Sequence, residues 1–307
     1  MYLPFFSLDE APFSLTPDTA FFYSNPSHQE ALNTLLVALQ MGEGFIKVTG
    51  EVGTGKTLLC RKLLRELEAI PSFVTAYIAN PALSPTALHY SLADELGIHY
   101  DRDLAQHEVM QLISNRLLEE RKRENRVVLV IDEAQALPHE CLEAVRLLTN
   151  LETEKSKLLQ VVLLGQPELD VHLAEPSVRQ LRQRVTFSQT LMPMNSEAVG
   201  GYLAHRMGIA GYRGPCMFSW EVARDIAQAS EGIPRLINII AHKCLLAAYG
   251  EGRMIVTRRH VRLASRDTEA VNAGRPRSGR RRAAVVVAGA LSAGAAAFGT
   301  LLLQGMG

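Results

Sequence analysis

Cysteine chemistry is scarce in this chain. Its 307 residues hold four cysteines, Cys60, Cys141, Cys216 and Cys244. None forms a Cys-x-x-Cys pair or stands at ligand spacing from a histidine, which argues against a zinc site. Cys60 and Cys244 fall in apolar helical patterns and are expected to be buried, reduced thiols of a reducing compartment. Net charge is missing too: 32 basic residues balance 32 acidic ones, so no global field draws the chain to nucleic acid or lipid. Met1–Phe6 has neither a basic start nor a long apolar run, and no cleaved leader is expected. With 47% hydrophobic and 21% charged residues, the composition also excludes general disorder.

What is present is a chain long enough for about two domains. Strand patterns at Phe45–Thr49, Phe73–Ile78, Val127–Ile131 and Leu158–Leu164, with a weaker one at Val185–Leu191, alternate with helical patterns. That order predicts an α/β fold of P-loop type, a parallel sheet flanked by helices. Asp103 is a candidate cap for the helix that carries Val109, Ile113 and Leu117, and another helix is predicted from about Glu140 to Leu151. After Pro193 the strand signal ends, and four helical stretches predict a small helical lid. The expected division is 1–193 for the nucleotide-binding part with its N-terminal lead-in, 194–270 for the lid, 271–282 for a basic linker and 283–303 for a membrane helix.

The strongest motif is Gly50-Glu51-Val52-Gly53-Thr54-Gly55-Lys56-Thr57. It meets the phosphate-loop pattern and lies between an apolar strand and a helix beginning near Leu58, the context that gives such a motif meaning. Glycines at 50, 53 and 55 let backbone N–H groups approach phosphate oxygens, and the helix start adds partial positive charge. Lys56 is expected on the β- and γ-phosphates and Thr57 on Mg²⁺. Asp132 follows the Val127–Ile131 run, which puts its carboxylate at the ligand-binding end of a parallel strand. Asp132 is expected to orient Mg²⁺, and Glu133 to position or deprotonate the attacking water. Gln166, after the next strand, is a candidate to sense the γ-phosphate or orient the water.

Three arginines, Arg179, Arg182 and Arg184, precede the last strand. Arg184, then Arg182, is the candidate to reach a neighbouring subunit's γ-phosphate. In Gly232-Ile233-Pro234-Arg235, Gly and Pro set a sharp helix entry, and Arg235 is expected to face the phosphates. Among Phe21, Phe22, Tyr23 and His28, upstream of the loop, Tyr23 and His28 are candidates for stacking on adenine, with a packing role an equal alternative.

Ala283–Leu303 carries no charge over 21 residues, long enough to cross a bilayer. Five arginines between Arg275 and Arg282 precede it, and the positive-inside rule then puts residues 1–282 in the cytoplasm.

These segments, together with Phe5-Phe6-Ser7-Leu8, Pro12–Asp18, His28–Leu32, Asp132–Leu137, Leu147–Glu152 and Gly165–Leu169, resemble the secretion-pathway protein A type of AAA ATPase. The likeness is strongest to members serving a type IV pilus of the mannose-sensitive haemagglutinin kind, and it spans about residues 1–265. It implies ATP and Mg²⁺ as cofactors and a homo-oligomer at the bacterial inner membrane, with pilus or secretion-apparatus proteins as partners and nucleic acid not among them. It carries the family's roles to Lys56, Thr57, Asp132, Glu133, Gln166 and Arg235. Some members continue past the membrane helix into a peptidoglycan-binding domain; the resemblance does not extend to one. Members often carry a further arginine where Phe187–Thr190 stand here. Two other readings share the nucleotide site: a DNA-linked ATPase akin to transposition regulators, and a nucleotide-gated scaffold with little turnover.

Overall fold

The computed structural model describes residues 2–101, 104–152 and 156–268. Residues up to Ala264 form one compact unit. Five strands, β1 (Phe45–Gly50), β2 (Phe73–Ile78), β3 (Arg126–Ile131), β4 (Leu159–Gly165) and β5 (Phe187–Leu191), make one sheet in the order β2-β3-β4-β1-β5. Every pairing in it is parallel.

The central strands are apolar throughout because both faces of the sheet are covered. Along β3 the side chains alternate. Val128 and Val130 join Ile46, Val48, Val162 and Leu164 beneath α1 (Pro26–Met41) and α2 (Lys56–Glu68), which contribute Leu35, Leu39, Leu59 and Leu63. Val127, Leu129 and Ile131 join Phe45, Val161 and Leu163 on the other face. There they meet Leu88 and Leu92 of α3 (Pro85–Glu95), Ile113 and Leu117 of α4 (Gln106–Lys122), and Leu142 and Val145 of α5 (His139–Leu148). Each such buried side chain stabilises the fold by about 1.5–3 kcal/mol relative to exposure. The sheet is therefore a rigid platform for whatever stands at its strand ends.

Several boundaries differ from the sequence reading. The Ala105 N–H donates to the Glu108 carboxylate at 2.8 Å, so α4 is capped at Ala105, and Asp103 lies outside the described residues. Helix α5 stops at Leu148 because the Thr149 hydroxyl takes the Arg146 carbonyl at 2.7 Å. Two short helices follow β4, α6 (Glu168–Ala174) and α7 (Arg179–Arg182). Strand β5 begins only at Phe187, since the Val185 N–H closes a turn onto Arg182.

Beyond β5 the chain is helical: α8 (Ser196–Ile209), α9 (Trp220–Ser230), α10 (Pro234–Gly250) and α11 (Arg258–Arg266). Asn195 and Ser219 cap α8 and α9 through their side chains, as such residues do at helix starts. Gly232 has φ +72°, and a Cβ there would stand 2.1 Å from the Met194 carbonyl oxygen. Only glycine lets the α10 entry pass this close to the segment leaving the sheet.

The N-terminal lead-in, grouped with the strand-rich part by the sequence reading, is bonded along these helices. Tyr2 Oη pairs with His242 Nδ1 at 3.0 Å, and the Asp9 N–H donates to the Ala210 carbonyl at 2.9 Å. Among the described residues no helix is long and apolar enough to cross a membrane. The basic linker 271–282 and the apolar stretch Ala283–Leu303 lie outside the described residues.

Candidate nucleotide site

The C-terminal ends of parallel strands form the ligand-binding edge of such a sheet, and this strand order puts three of them side by side. Strand β1 delivers the phosphate loop, β4 stands next to it, and β3 stands next to β4. Gln166, after β4, therefore lies between the loop and the Asp132-Glu133 pair that follows β3. A cleft of about 280 Å³ opens here, lined by Val52, Gly53, Gly55, Lys56, Thr57 and Leu58 of the loop and α2, by Glu133 and Gln166, and by Arg235 of α10.

The loop is built as its glycines require. Gly53 and Gly55 take φ +82° and +99°, values that cost a Cβ-bearing residue about 1–2 kcal/mol. Three motif residues shape the loop and do not line the cleft. Thr54 is buried and its hydroxyl donates to the Glu51 carbonyl at 2.8 Å. The carbonyls of Gly50 and Glu51 accept from Lys56 Nζ at 2.7 and 3.0 Å. Burial pushes the Lys56 ammonium pKa down, while the carboxylates of Glu133, Asp132, Glu51 and Glu168 oppose that shift.

Asp132 is 2% exposed. Burial pushes its carboxyl pKa up, and hydrogen bonds from the Thr57 hydroxyl and the Glu133 N–H pull against it. A buried carboxylate at the end of β3, beside the phosphate-loop helix that carries Thr57, suits a hard divalent cation. Thr57 and Asp132 are the residues that would hold Mg²⁺, which when bound neutralises charge on the phosphates. Among the described residues no cluster of three or more His, Cys, Asp or Glu exists to cage a metal, so the remaining ligands would come from nucleotide and water.

Glu133 has a left-handed backbone, φ +52°, unusual for a residue with a side chain and costly by about 1–3 kcal/mol. Its Oε2 accepts from Gln135 Nε2 at 2.6 Å and from Gln166 Nε2 at 3.3 Å. Gln135 was not singled out for a role by the sequence reading, although it stands within the Asp132–Leu137 segment.

The Arg235 N–H donates to the Gly53 carbonyl at 3.2 Å, which brings the helical part directly onto the phosphate loop. The adenine-stacking expectation for Tyr23 and His28 does not match their positions, since neither lines the cleft. The Tyr23 ring packs on Tyr202 and His205 of α8, with centroids 5.8 and 5.4 Å away. His28 is buried behind the loop, where its Nδ1 meets Asn25 Oδ1 at 2.9 Å and its Nε2 meets the Thr54 carbonyl at 2.8 Å. The far side of the cleft is instead Ser14–Asp18 with Tyr202, Arg206 and Asn238, none of which was singled out beforehand. Their signal was faint: the Pro12–Asp18 run was visible only as a family segment.

Arg182 and Arg184 do not line the cleft. They precede β5 and so lie at the opposite end of the sheet from the loop. Arg184 Nη1 donates to Thr149 Oγ1 at 3.1 Å, and Arg182 borders a surface hollow with Lys47 and Asp170. The four cysteines are free, with Cys216 exposed and the rest buried.

Fold and site together define a P-loop nucleotide-binding domain of the AAA type, and the AAA domain family matches residues 39–173. The chain is similar to a secretion-pathway protein A: it is 41% identical to General secretion pathway protein A of Aeromonas hydrophila over 271 residues, 88% of this chain and 49% of that one. It thus spans about half the length of this relative. Solved structures share the fold at lower identity. Cdc6p of Pyrobaculum aerophilum matches 84% of this chain and 74% of its own, with TM-score 0.63 and 23% identity. The ORC1 protein of Aeropyrum pernix, solved in complex with DNA, matches 83% and 68%, with TM-score 0.59 and 21% identity. The RuvB branch-migration motor of Thermotoga maritima matches 77% and 67%, with TM-score 0.53 and 16% identity.

Proposed function

We propose that this chain binds and hydrolyses ATP with Mg²⁺, and that turnover drives assembly of a secretion apparatus or a type IV pilus of the mannose-sensitive haemagglutinin kind at the bacterial inner membrane. The observation that carries the enzymatic half is the convergence of Lys56, Thr57, Glu133 and Gln166 on one cleft. Backbone amides and Lys56 bind the phosphates, Glu133 accepts the proton of the attacking water, and Gln166 orients water or γ-phosphate beside it. The likeness to General secretion pathway protein A supports the secretion half. Arg235, bonded to the phosphate loop, supports a lid whose position follows the nucleotide. Arg184 or Arg182 acts in a neighbouring subunit, because neither reaches its own cleft.

The test is ATP turnover by the full chain and its Glu133→Gln variant, joined to membrane fractionation and protease accessibility of the full chain and of a form ending at Arg282. Turnover lost with Glu133→Gln, and sedimentation lost with the tail, support the proposal. Equal solubility of both forms with salt-sensitive, ATP-dependent retention on DNA would favour a DNA-linked ATPase. Full apparatus assembly by Glu133→Gln would favour a nucleotide-gated scaffold.

A further inference from the structure

Glu133 is held by a closed ring of side chains. Gln135 Nε2 and Gln166 Nε2 donate to the same carboxylate oxygen, Oε2. The other end of the Gln135 amide, Oε1, accepts from the Gln166 backbone N–H at 3.0 Å. Gln135 therefore spans from Glu133, two residues after β3, to Gln166, the residue after β4, and satisfies both with one planar group. Its two partners line the cleft, whereas Gln135 does not; it stands behind them.

The close approach is built into the backbone. A Cβ on Gly165, the last residue of β4, would stand 2.9 Å from Leu169 Cδ2 and 3.3 Å from the Gln135 peptide nitrogen. Glycine there lets the ends of the two strands come near enough for one amide to bridge them. The left-handed Glu133 backbone is a second constraint, since that conformation persists only where surrounding contacts fix it. A carboxylate with both donors on Oε2 leaves Oε1 as the oxygen open to water.

The geometry points to Gln135 as a positioning residue for hydrolysis: its side-chain amide fixes the Glu133 carboxylate on the cleft wall and ties it to the Gln166 segment. This rests on the reading of Glu133 as the water-activating group. Gln135 touches no phosphate, so its loss changes the chemical step and leaves nucleotide affinity alone. Misplacing a reacting group by about 1 Å costs on the order of 100-fold in rate; the remaining Gln166 contact limits the loss here to about 10-fold.

The experiment compares the full chain with Gln135→Ala, Gln135→Met and Gln135→Glu by steady-state ATP turnover and by equilibrium binding of a fluorescent ATP analogue. Gln135→Ala is expected to lower kcat about 10-fold with KM and analogue affinity within twofold of the parent. Gln135→Met keeps the length without the amide and is expected to fall equally far. Gln135→Glu keeps the acceptor for the Gln166 N–H but sets a carboxylate against Glu133, and is expected to fall further. Parental kcat in Gln135→Met, or a raised KM at constant kcat, overturns the assignment. Analogue affinity reports whether each variant is folded. Parental turnover in Glu133→Gln sinks the water-activation reading itself, whereas loss there with no effect at Gln135 sinks this inference alone.

Discussion

The backbone N–H of Arg235 donates to the carbonyl of Gly53 at 3.2 Å, so the helix α10 is joined to the phosphate loop by main chain as well as by side chain. Gly53 admits this contact because it has no side chain: a Cβ there would stand 2.6 Å from Arg235 Cβ, and φ is +82°. Gly53→Ala must therefore either displace α10 or distort the loop. We expect at least a tenfold loss of ATP-analogue affinity, about 1.4 kcal/mol, with the melting temperature changed by a few degrees. Parental affinity, measured by fluorescence titration, would show that the loop and α10 are not coupled.

His28 supports the loop from behind, and its burial sets a pH dependence. Burial lowers the His28 pKa, with the Thr54 carbonyl opposing. The folded state thus favours the neutral ring. The stability it confers is complete above the unfolded value of about 6.5 and is lost as pH falls toward the depressed folded value. His89, His205 and His242 are shifted the same way by burial. Urea midpoints taken between pH 7.5 and 5.5 should fall for the parent and fall less for His28→Gln. Identical slopes would refute the assignment. At pH 7.5, His28→Ala leaves the Thr54 carbonyl unpaired and should cost about 1–3 kcal/mol.

The segment bordering the far side of the cleft is strapped down by two arginines from different parts of the fold. Arg61 of α2 donates to the Pro17 carbonyl at 2.5 Å. Arg206 of α8 is 5% exposed. It donates to the Pro12 carbonyl, to Tyr202 Oη at 3.0 Å and to the Ser14 carbonyl at 3.4 Å, and it lies 4.6 Å from the Phe21 ring centroid. Arg206→Met keeps the bulk and removes the donors. Limited proteolysis within residues 10–20 should accelerate and KM for ATP should rise severalfold, while kcat stays near the parent's. Unchanged protection would show that the strap holds without it.

The arginines before β5 are tested by mixing. Arg184→Ala alone should lower turnover at least tenfold, a modest share of the roughly 10³–10⁵ that such fingers supply. If it acts in trans, adding Glu133→Gln protein, which keeps its own Arg184, should restore part of the activity. No recovery for Arg184→Ala but recovery for Arg182→Ala would move the role to Arg182.

Which parts of the site were legible in sequence follows from how far apart their partners lie along the chain. The phosphate loop, Asp132 and the strand alternation at Val127–Ile131 are local patterns, each carrying its geometry within a few residues. Gln135 lies two residues from Glu133, but its importance depends on Gln166, which only the β3–β4 pairing brings near. Ser14 and Arg206 meet across 192 residues, a contact no local pattern encodes. For Tyr23 and His28, residue type left adenine stacking and packing equally open, because type does not set direction. Tyr23 packs toward α8, and His28 packs against the back of the phosphate loop.

The way residues 2–22 are laid down bears on how this protein can be handled. One continuous stretch meets His242 at Tyr2, Ala210 at Asp9 and Arg61 at Pro17, and on its way forms one side of the nucleotide cleft. A purification tag or reporter fused ahead of Met1 would sit a few residues from the first of these anchors. A displacement of this stretch would reach one side of the nucleotide cleft. Altered ATP affinity in such a fusion would then be a mechanical artefact of the label, and untagged protein is the proper reference for every measurement above.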